Sequence, residues 1–101
     1  MALIRAAKTD ELPAGSVREF QVEGTTLAIA NVDGKFYAIN NTCLHRGGPL
    51  GQGELQGKVL TCPWHGWQYD VTNGKLLMNP AVGVACYPIE VKGDDIWVEL
   101  A

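Results

Sequence analysis

Four side chains of the kinds that bind metals lie in two short segments near the middle of the chain. The first segment reads Cys43-Leu44-His45 and the second reads Cys62-Pro63-Trp64-His65, with sixteen residues between His45 and Cys62. These segments contain both histidines of the protein and two of its three cysteines. Two thiols and two imidazoles form a complete ligand set for a metal centre. Glycines and prolines beside them permit tight backbone paths, so the pattern predicts two loops that hold a metal.

The order of the ligands distinguishes between kinds of centre. A common zinc finger has both cysteines in one half and both histidines in the other, whereas each half here supplies one of each. The pattern resembles the Rieske motif, Cys-x-His followed by Cys-x-x-His, whose [2Fe-2S] cluster has two histidines on one iron. This resemblance implies that Cys43 and Cys62 bind the buried iron and that His45 and His65 bind the outer iron.

The charge of such a cluster explains its redox chemistry. Two ferric irons, two sulfides and two thiolates sum to zero, and neutral imidazoles add nothing. With four thiolates the cluster would be two units more negative, so adding an electron to the histidine-ligated form costs less. Rieske centres therefore have reduction potentials of about −150 to +300 mV, against roughly −400 mV for plant-type clusters.

The chain differs from the Rieske proteins of respiratory and photosynthetic electron transport. Those proteins have a disulfide joining the two loops and a serine two residues after the second histidine. The corresponding positions here are Gly48, Trp64 and Trp67, so the disulfide and one hydroxyl donor are missing. Tyr69 does match a tyrosine that bonds a cysteine sulfur in the high-potential members. We expect a potential in the lower part of the range, raised slightly by Tyr69.

Length and charge limit the further possibilities. The 101 residues fit one domain over 1–101, with a cluster-binding lobe over about residues 43–70. The net charge is −3 and no basic stripe is present, which argues against nucleic acid and favours a partner with a basic surface. No segment has the length of a membrane span or the form of a secretion signal, so we expect no membrane contact and a cytoplasmic location.

The apolar pattern and the turn residues predict an all-β fold. As the resemblance implies, we expect an antiparallel β-sandwich or partly open barrel, with the two ligand loops forming a small lobe. Asp33-Gly34 is the strongest hairpin signal, and Glu23-Gly24 and Gly93-Asp94 mark two more. The predicted strands cover residues 4–7, 17–22, 26–32, 35–39, 58–61, 68–70, 76–78, 87–92 and 95–100. In the last two strands apolar residues alternate with other residues, so each is expected to have one buried face, formed by Ile89 and Val91 and by Ile96, Val98 and Leu100.

Several side chains near the ligands have structural or functional interpretations. Cys86, in an apolar run, is expected to be a small buried hydrophobe. Trp64 and Trp67 are expected to pack in the core, whereas Leu44, at a loop tip, is the better candidate for docking. By the resemblance, residues 79–83 are expected to form a loop that covers the cluster.

These features predict an electron carrier and not an enzyme. Both histidines are used by the cluster, so none remains for an oxygen-activating iron site, and no Gly-x-Gly-x-x-Gly segment suggests a nucleotide domain. The chain resembles the Rieske-type ferredoxins that pass electrons from a flavoprotein reductase to a terminal oxygenase such as a ring-hydroxylating dioxygenase. Docking is expected to be transient, at the His45/His65 edge, with a monomer favoured.

Three alternatives remain: the small subunit of an NAD(P)H nitrite reductase, a redox-sensing binding module, and a structural zinc module.

Overall fold

The computed structural model describes residues 2–44, 47–64 and 66–100. This part of the chain contains antiparallel strands and two single-turn 3₁₀ helices, Thr9–Glu11 and Leu50–Gln52, but no α-helix. The predicted all-β fold is confirmed. The strands are β1 Ala2–Lys8, β2 Val17–Val22, β3 Thr25–Val32, β4 Lys35–Asn40, β5 Glu54–Gln56, β6 Val59–Thr61, β7 Gln68–Asp70, β8 Lys75–Leu76, β9 Asn79–Gly83, β10 Cys86–Tyr87, β11 Ile89–Lys92 and β12 Asp95–Leu100.

The strands form three open antiparallel sheets. The first sheet has the order β1-β12-β11, the second β10-β4-β3-β2, and the third β5-β6-β7-β8-β9. The first sheet joins the two ends of the described chain, since Ala2 pairs with Leu100. The third sheet supplies one of the two ligand loops.

The second sheet lies between two hydrophobic cores, as the burial of β3 shows. Leu27 and Ile29 belong to a core shared with the first sheet, and Ala28 and Ala30 belong to one shared with the third sheet. Successive side chains of a strand point to opposite faces, so one strand contributes to both cores. The small alanines face the core that also contains Cys43 and Cys62.

The predicted hairpins at Glu23-Gly24 and Asp33-Gly34 are confirmed. Asp33 has φ 52° and Gly34 has φ 92°, and the turn joins the paired residues Val32 and Lys35. Positive φ at both central residues is the requirement of a type I′ turn, whose twist matches that of the flanking strands. The hairpin of β3 and β4 therefore ends directly before the first ligand loop.

The predicted strand over residues 87–92 is interrupted at Pro88. Cys86 and Tyr87 pair with β4 in the second sheet, whereas Ile89–Lys92 pairs with β12 in the first. Proline has no amide proton for a strand ladder, so the chain changes sheets there. The expected buried face of this strand is also wrong in part, because Val91 is exposed on an edge strand.

Candidate metal centre

The first ligand loop leaves the end of β4 and is closed at its base by backbone hydrogen bonds. Thr42 and Pro49 form an isolated bridge, and the amide of Leu50 donates to the carbonyl of Asn41 at 2.8 Å. Inside the loop, the amide of Cys43 donates to the carbonyl of Gly48 at 2.9 Å. The backbone of Cys43 is therefore fixed by contacts within its own loop.

The second ligand loop is the tip of the hairpin formed by β6 and β7. Thr61 pairs with Gln68, and the amide of Cys62 donates to the carbonyl of Trp67 at 2.7 Å. The hairpin thus places Cys62 at the end of the third sheet. Its neighbours in the core are residues of the second and third sheets.

The structure brings the two predicted cysteine ligands together. Cys43 and Cys62 are each 2% exposed and lie in the same hydrophobic core. Burial raises the pKa of the Cys62 thiol; the Trp64 amide acts to lower it, and the Cys43 thiol adds to the rise. His45 and His65, the other two predicted ligands, and Arg46 lie outside the described residues.

A contact between Gly48 and Trp64 joins the two ligand loops. An ideal Cβ on Gly48 would lie 3.2 Å from the Cβ and Cδ2 atoms of Trp64, and 2.8 Å from the Sγ of Cys62. The positions of Gly48 and Trp64 are the two that carry the bridging cysteines in the disulfide-bearing Rieske proteins. Here an indole packed on a glycine makes the contact between the loops.

The expected burial of the tryptophans is wrong for Trp64 and is partly met for Trp67. Trp64 is 48% exposed, although its inner edge contacts Gly48. Trp67 is partly buried and packs against the core. Leu44 is 49% exposed, in agreement with its predicted place at a loop tip.

Cys86 is exposed, which corrects the prediction that it is buried. Its Sγ lies 3.9 Å from the carbonyl oxygen of Thr72. Partial burial of the sulfur, followed by the negative charge of Asp70, raises the pKa of the thiol. Cys86 lies on the short strand β10 at the edge of the second sheet, beside the partly buried Tyr87.

A cleft of about 620 Å³ lies beside Cys43. Its walls include Leu44 and Gly47 of the first loop and, from a third segment, Gly83, Val84 and Ala85. The covering loop expected at residues 79–83 is instead the exposed edge strand β9. Only the end of that strand and the residues after it face the cleft.

Tyr69, on β7, contacts the first ligand loop through its hydroxyl group. The side chain is fully buried, and its hydroxyl oxygen lies 3.2 Å from the Sγ of Cys43 and 3.0 Å from the donating amide of Leu44. Burial, then the hydrogen bond with Cys43, raises the pKa of the phenol, so the hydroxyl keeps its proton. It can therefore donate that proton to a Cys43 thiolate while accepting the Leu44 amide, as the sequence comparison with high-potential proteins predicted.

We expect Tyr69→Phe to lower the reduction potential of the protein. A donor to a ligand sulfur stabilises the more negative, reduced state, and losing about 1 kcal/mol of that preference corresponds to about 40 mV for one electron. Potentiometric titration monitored by electron paramagnetic resonance measures the change. Tyr87→Phe is the control, because it removes a hydroxyl whose hydrogen bond, 3.5 Å from the Asn40 amide, involves neither cysteine. Equal potentials for both variants would show that the Tyr69 hydrogen bond has no redox role.

The described residues fit a [2Fe-2S] cluster. Two buried sulfurs share one core, a phenol donor contacts one of them, and the backbone of Gly48 lies so close to the other that a side chain would not fit between them. Iron binds thiolates, so cluster assembly releases the thiol protons. Cys43 and Cys62 form no disulfide, so both sulfurs are available to bind iron.

Comparison with known proteins identifies the family. The Rieske [2Fe-2S] domain family matches residues 2–88. The ferredoxin component of a naphthalene 1,2-dioxygenase system from Pseudomonas aeruginosa is 33% identical over 97% of this chain and 95% of its own length. The ferredoxin subunit of a biphenyl dioxygenase from Pseudomonas sp. (strain KKS102) is 32% identical over 100% of this chain and 94% of its own length.

Solved structures show the same fold. The ferredoxin of carbazole 1,9a-dioxygenase from Nocardioides aromaticivorans IC177 superposes with a TM-score of 0.88, at 28% identity over 97% of both chains. A complex of reduced oxygenase and oxidized ferredoxin in carbazole 1,9a-dioxygenase contains a chain that matches with a TM-score of 0.84 and 30% identity, over 95% of this chain and 91% of that one. The resemblance predicted from the ligand motif is confirmed: the chain belongs to the Rieske [2Fe-2S] family, and its cofactor is a Rieske-type [2Fe-2S] cluster.

Proposed function

We propose that this chain is a one-electron carrier that receives electrons from a flavoprotein reductase and passes them to the terminal oxygenase of a ring-hydroxylating dioxygenase system. The observation that carries the proposal is the buried Cys43–Cys62 pair with its Tyr69 donor, in a chain that matches ferredoxin components over nearly its whole length. Related ferredoxin has been captured with its oxygenase. When bound, the cluster accepts and returns one electron.

We propose that Cys43 and Cys62 bind one iron through sulfur and that His45 and His65 bind the other through nitrogen. The burial of both cysteines beside exposed Leu44 and Trp64 supports this division, because each loop runs from the core to the surface at its ligand pair. The chain's own residues then have two tasks. The core excludes water from the sulfurs, and the exposed loop tips provide a surface against which a partner can dock.

Iron and sulfide analysis, followed by a redox titration, tests the proposed function. We expect about two irons and two sulfides per chain, a Rieske electron paramagnetic resonance signal, and a potential in the lower part of the Rieske range. The reduced protein should then be reoxidised by a ring-hydroxylating terminal oxygenase in the absence of other carriers. Zinc in place of iron, or a reduced cluster that no oxygenase reoxidises, would contradict the proposal. Cell fractionation tests the proposed cytoplasmic location separately.

We expect Leu44→Glu to slow electron delivery to a terminal oxygenase about tenfold. The added negative charge beside Cys43 should lower the reduction potential, which favours electron delivery, so any slowing reports weaker docking. A leucine that anchors a docked complex contributes more than about 1 kcal/mol to the binding free energy. A carboxylate in its place would have to be buried without a partner, which opposes docking. Stopped-flow measurement of cluster reoxidation gives the rate.

Leu77→Glu is the matched control for the docking prediction. It introduces the same charge at a leucine of similar exposure, 43% for Leu77 against 49% for Leu44. Leu77 lies directly after β8 of the third sheet. Equal slowing by both variants would indicate a general effect of charge and would refute the role of Leu44 as an anchor.

A further inference from the structure

Glu19 uses both oxygens of its carboxylate to bind the two ends of the first ligand loop. It lies half-buried on β2, outside both ligand motifs. Its Oε2 accepts a hydrogen bond from the side-chain amide of Asn41 at 2.6 Å, and its Oε1 accepts one from that of Gln52 at 2.9 Å. Asn41 precedes Cys43 by two residues, and Gln52 ends the 3₁₀ turn that follows the loop. One side chain thus spans the base of the loop.

Asn41 extends this network to the backbone. The amide of Gly51 donates to its Oδ1 at 2.7 Å, and the amide of Leu50 donates to its carbonyl at 2.8 Å. Asn41 is only 7% exposed, and its side chain is bonded on both sides. Buried polar groups in a satisfied network define one arrangement, because each alternative leaves a donor or an acceptor without a partner.

The packing at Gly51 leaves no room for a side chain between the 3₁₀ turn and Glu19. An ideal Cβ there would lie 2.5 Å from the Cγ of Glu19 and 2.8 Å from the Oδ1 of Asn41. The 3₁₀ turn therefore rests directly on β2. Movement of the Glu19 side chain would displace the turn and, through the bonds at Asn41, the start of the loop.

We propose that Glu19 is a positioning residue for the cluster, which fixes the base of the first ligand loop and thereby the place of Cys43 relative to Cys62. The inference rests on the proposed function, since it assumes that Cys43 is a ligand. The chemistry of the network requires a carboxylate: Asn41 and Gln52 both present NH₂ donors, and only an ionised acid accepts at both of its terminal atoms.

Glu19→Gln tests the inference with almost no change in shape. The new amide has one acceptor and one NH₂ group, so a donor would face either Asn41 or Gln52. We expect shifted g values in the electron paramagnetic resonance spectrum of the holoprotein and about tenfold faster release of iron to a chelator. A tenfold change corresponds to about 1.4 kcal/mol, within the range for the net contribution of one hydrogen bond. Hydrogen exchange of residues 41–52 should become faster as well.

Glu90→Gln is the matched control, because it removes the same charge from an exposed position on β11. Gln52→Ala is a second variant; it removes only the exposed partner and should give a smaller change in the same direction. Unchanged g values and iron release in Glu19→Gln, with only a lower melting temperature, would overturn the inference and leave Glu19 a purely structural residue. If Glu19→Gln does not fold, unchanged g values and iron release in Gln52→Ala would overturn it. Wild-type protein without a Rieske signal would instead refute the proposed function itself.

Discussion

Replacing Cys62 with alanine is expected to abolish the visible colour and the electron paramagnetic resonance signal of the cluster. Cys62 is 2% exposed and lies in the same core as Cys43, so no other cysteine can take its place without rebuilding that core. Loss of one thiolate removes a ligand and leaves the proposed iron site incomplete. Iron content should fall from about two per chain to near zero in anaerobically purified protein.

Cys86→Ser is the control that separates ligand loss from cysteine loss. Cys86 is exposed at the edge of the second sheet and makes only a long contact with a backbone carbonyl. We expect full iron content and an unchanged potential for this variant. A cluster that survives in Cys62→Ala, or one that is lost equally in Cys86→Ser, would contradict the proposed ligand set.

The second large effect is expected at Gly48. Adding a methyl group in Gly48→Ala places a carbon 2.8 Å from the Sγ of Cys62 and 3.2 Å from two atoms of Trp64. Such a distance cannot persist, so the two ligand loops must separate. Overpacking a filled site costs typically about 1–3 kcal/mol, and here the strain acts directly on a proposed ligand. We expect at least about tenfold faster loss of the cluster on warming, measured by bleaching of its visible absorbance.

Gly57→Ala is the control for this steric prediction. Gly57 joins β5 and β6, and an added Cβ would contact nothing within 4 Å. Its φ of 59° makes alanine unfavourable by about 1 kcal/mol. The variant therefore strains the backbone at the β5–β6 turn but creates no clash beside the cysteine ligands. Similar rates of bleaching for the two variants would show that space at Gly48 is unimportant. The double variant Gly48→Ala/Trp64→Ala should recover only part of the loss, since the clash with Cys62 remains.

Local features of the chain were sufficient to predict several elements. Positive φ at Asp33 and Gly34 follows from the sterics of a two-residue hairpin, which the sequence pair specifies by itself. The alternation of Ile96 and Val98 with Trp97 correctly indicated which face of β12 is buried. The ligand spacing was equally local, and it led to the correct family.

Predictions that depended on distant segments were less successful. Cys86 lies in an apolar run and Val91 in an alternating one, and both were expected to be buried, but both are exposed on edge strands. Trp64 was expected in the core, yet it contacts Gly48 across the two loops and about half of its surface is exposed. An apolar pattern predicts what a residue prefers, and the neighbouring layers decide whether that preference is met.

The sequence by itself determined the family, the strand-rich fold and the candidate ligands, because backbone sterics and ligand chemistry act over a few neighbouring residues. Tertiary structure alone brought Glu19 to Asn41, 22 residues away, and Trp64 to Gly48 across the two loops. These contacts join parts of the chain that share no motif. The first forms when β2 and β4 are brought into one sheet, and the second forms when the second and third sheets pack together. The sequence therefore identified the groups that can bind iron, whereas long-range packing decided how those groups are held.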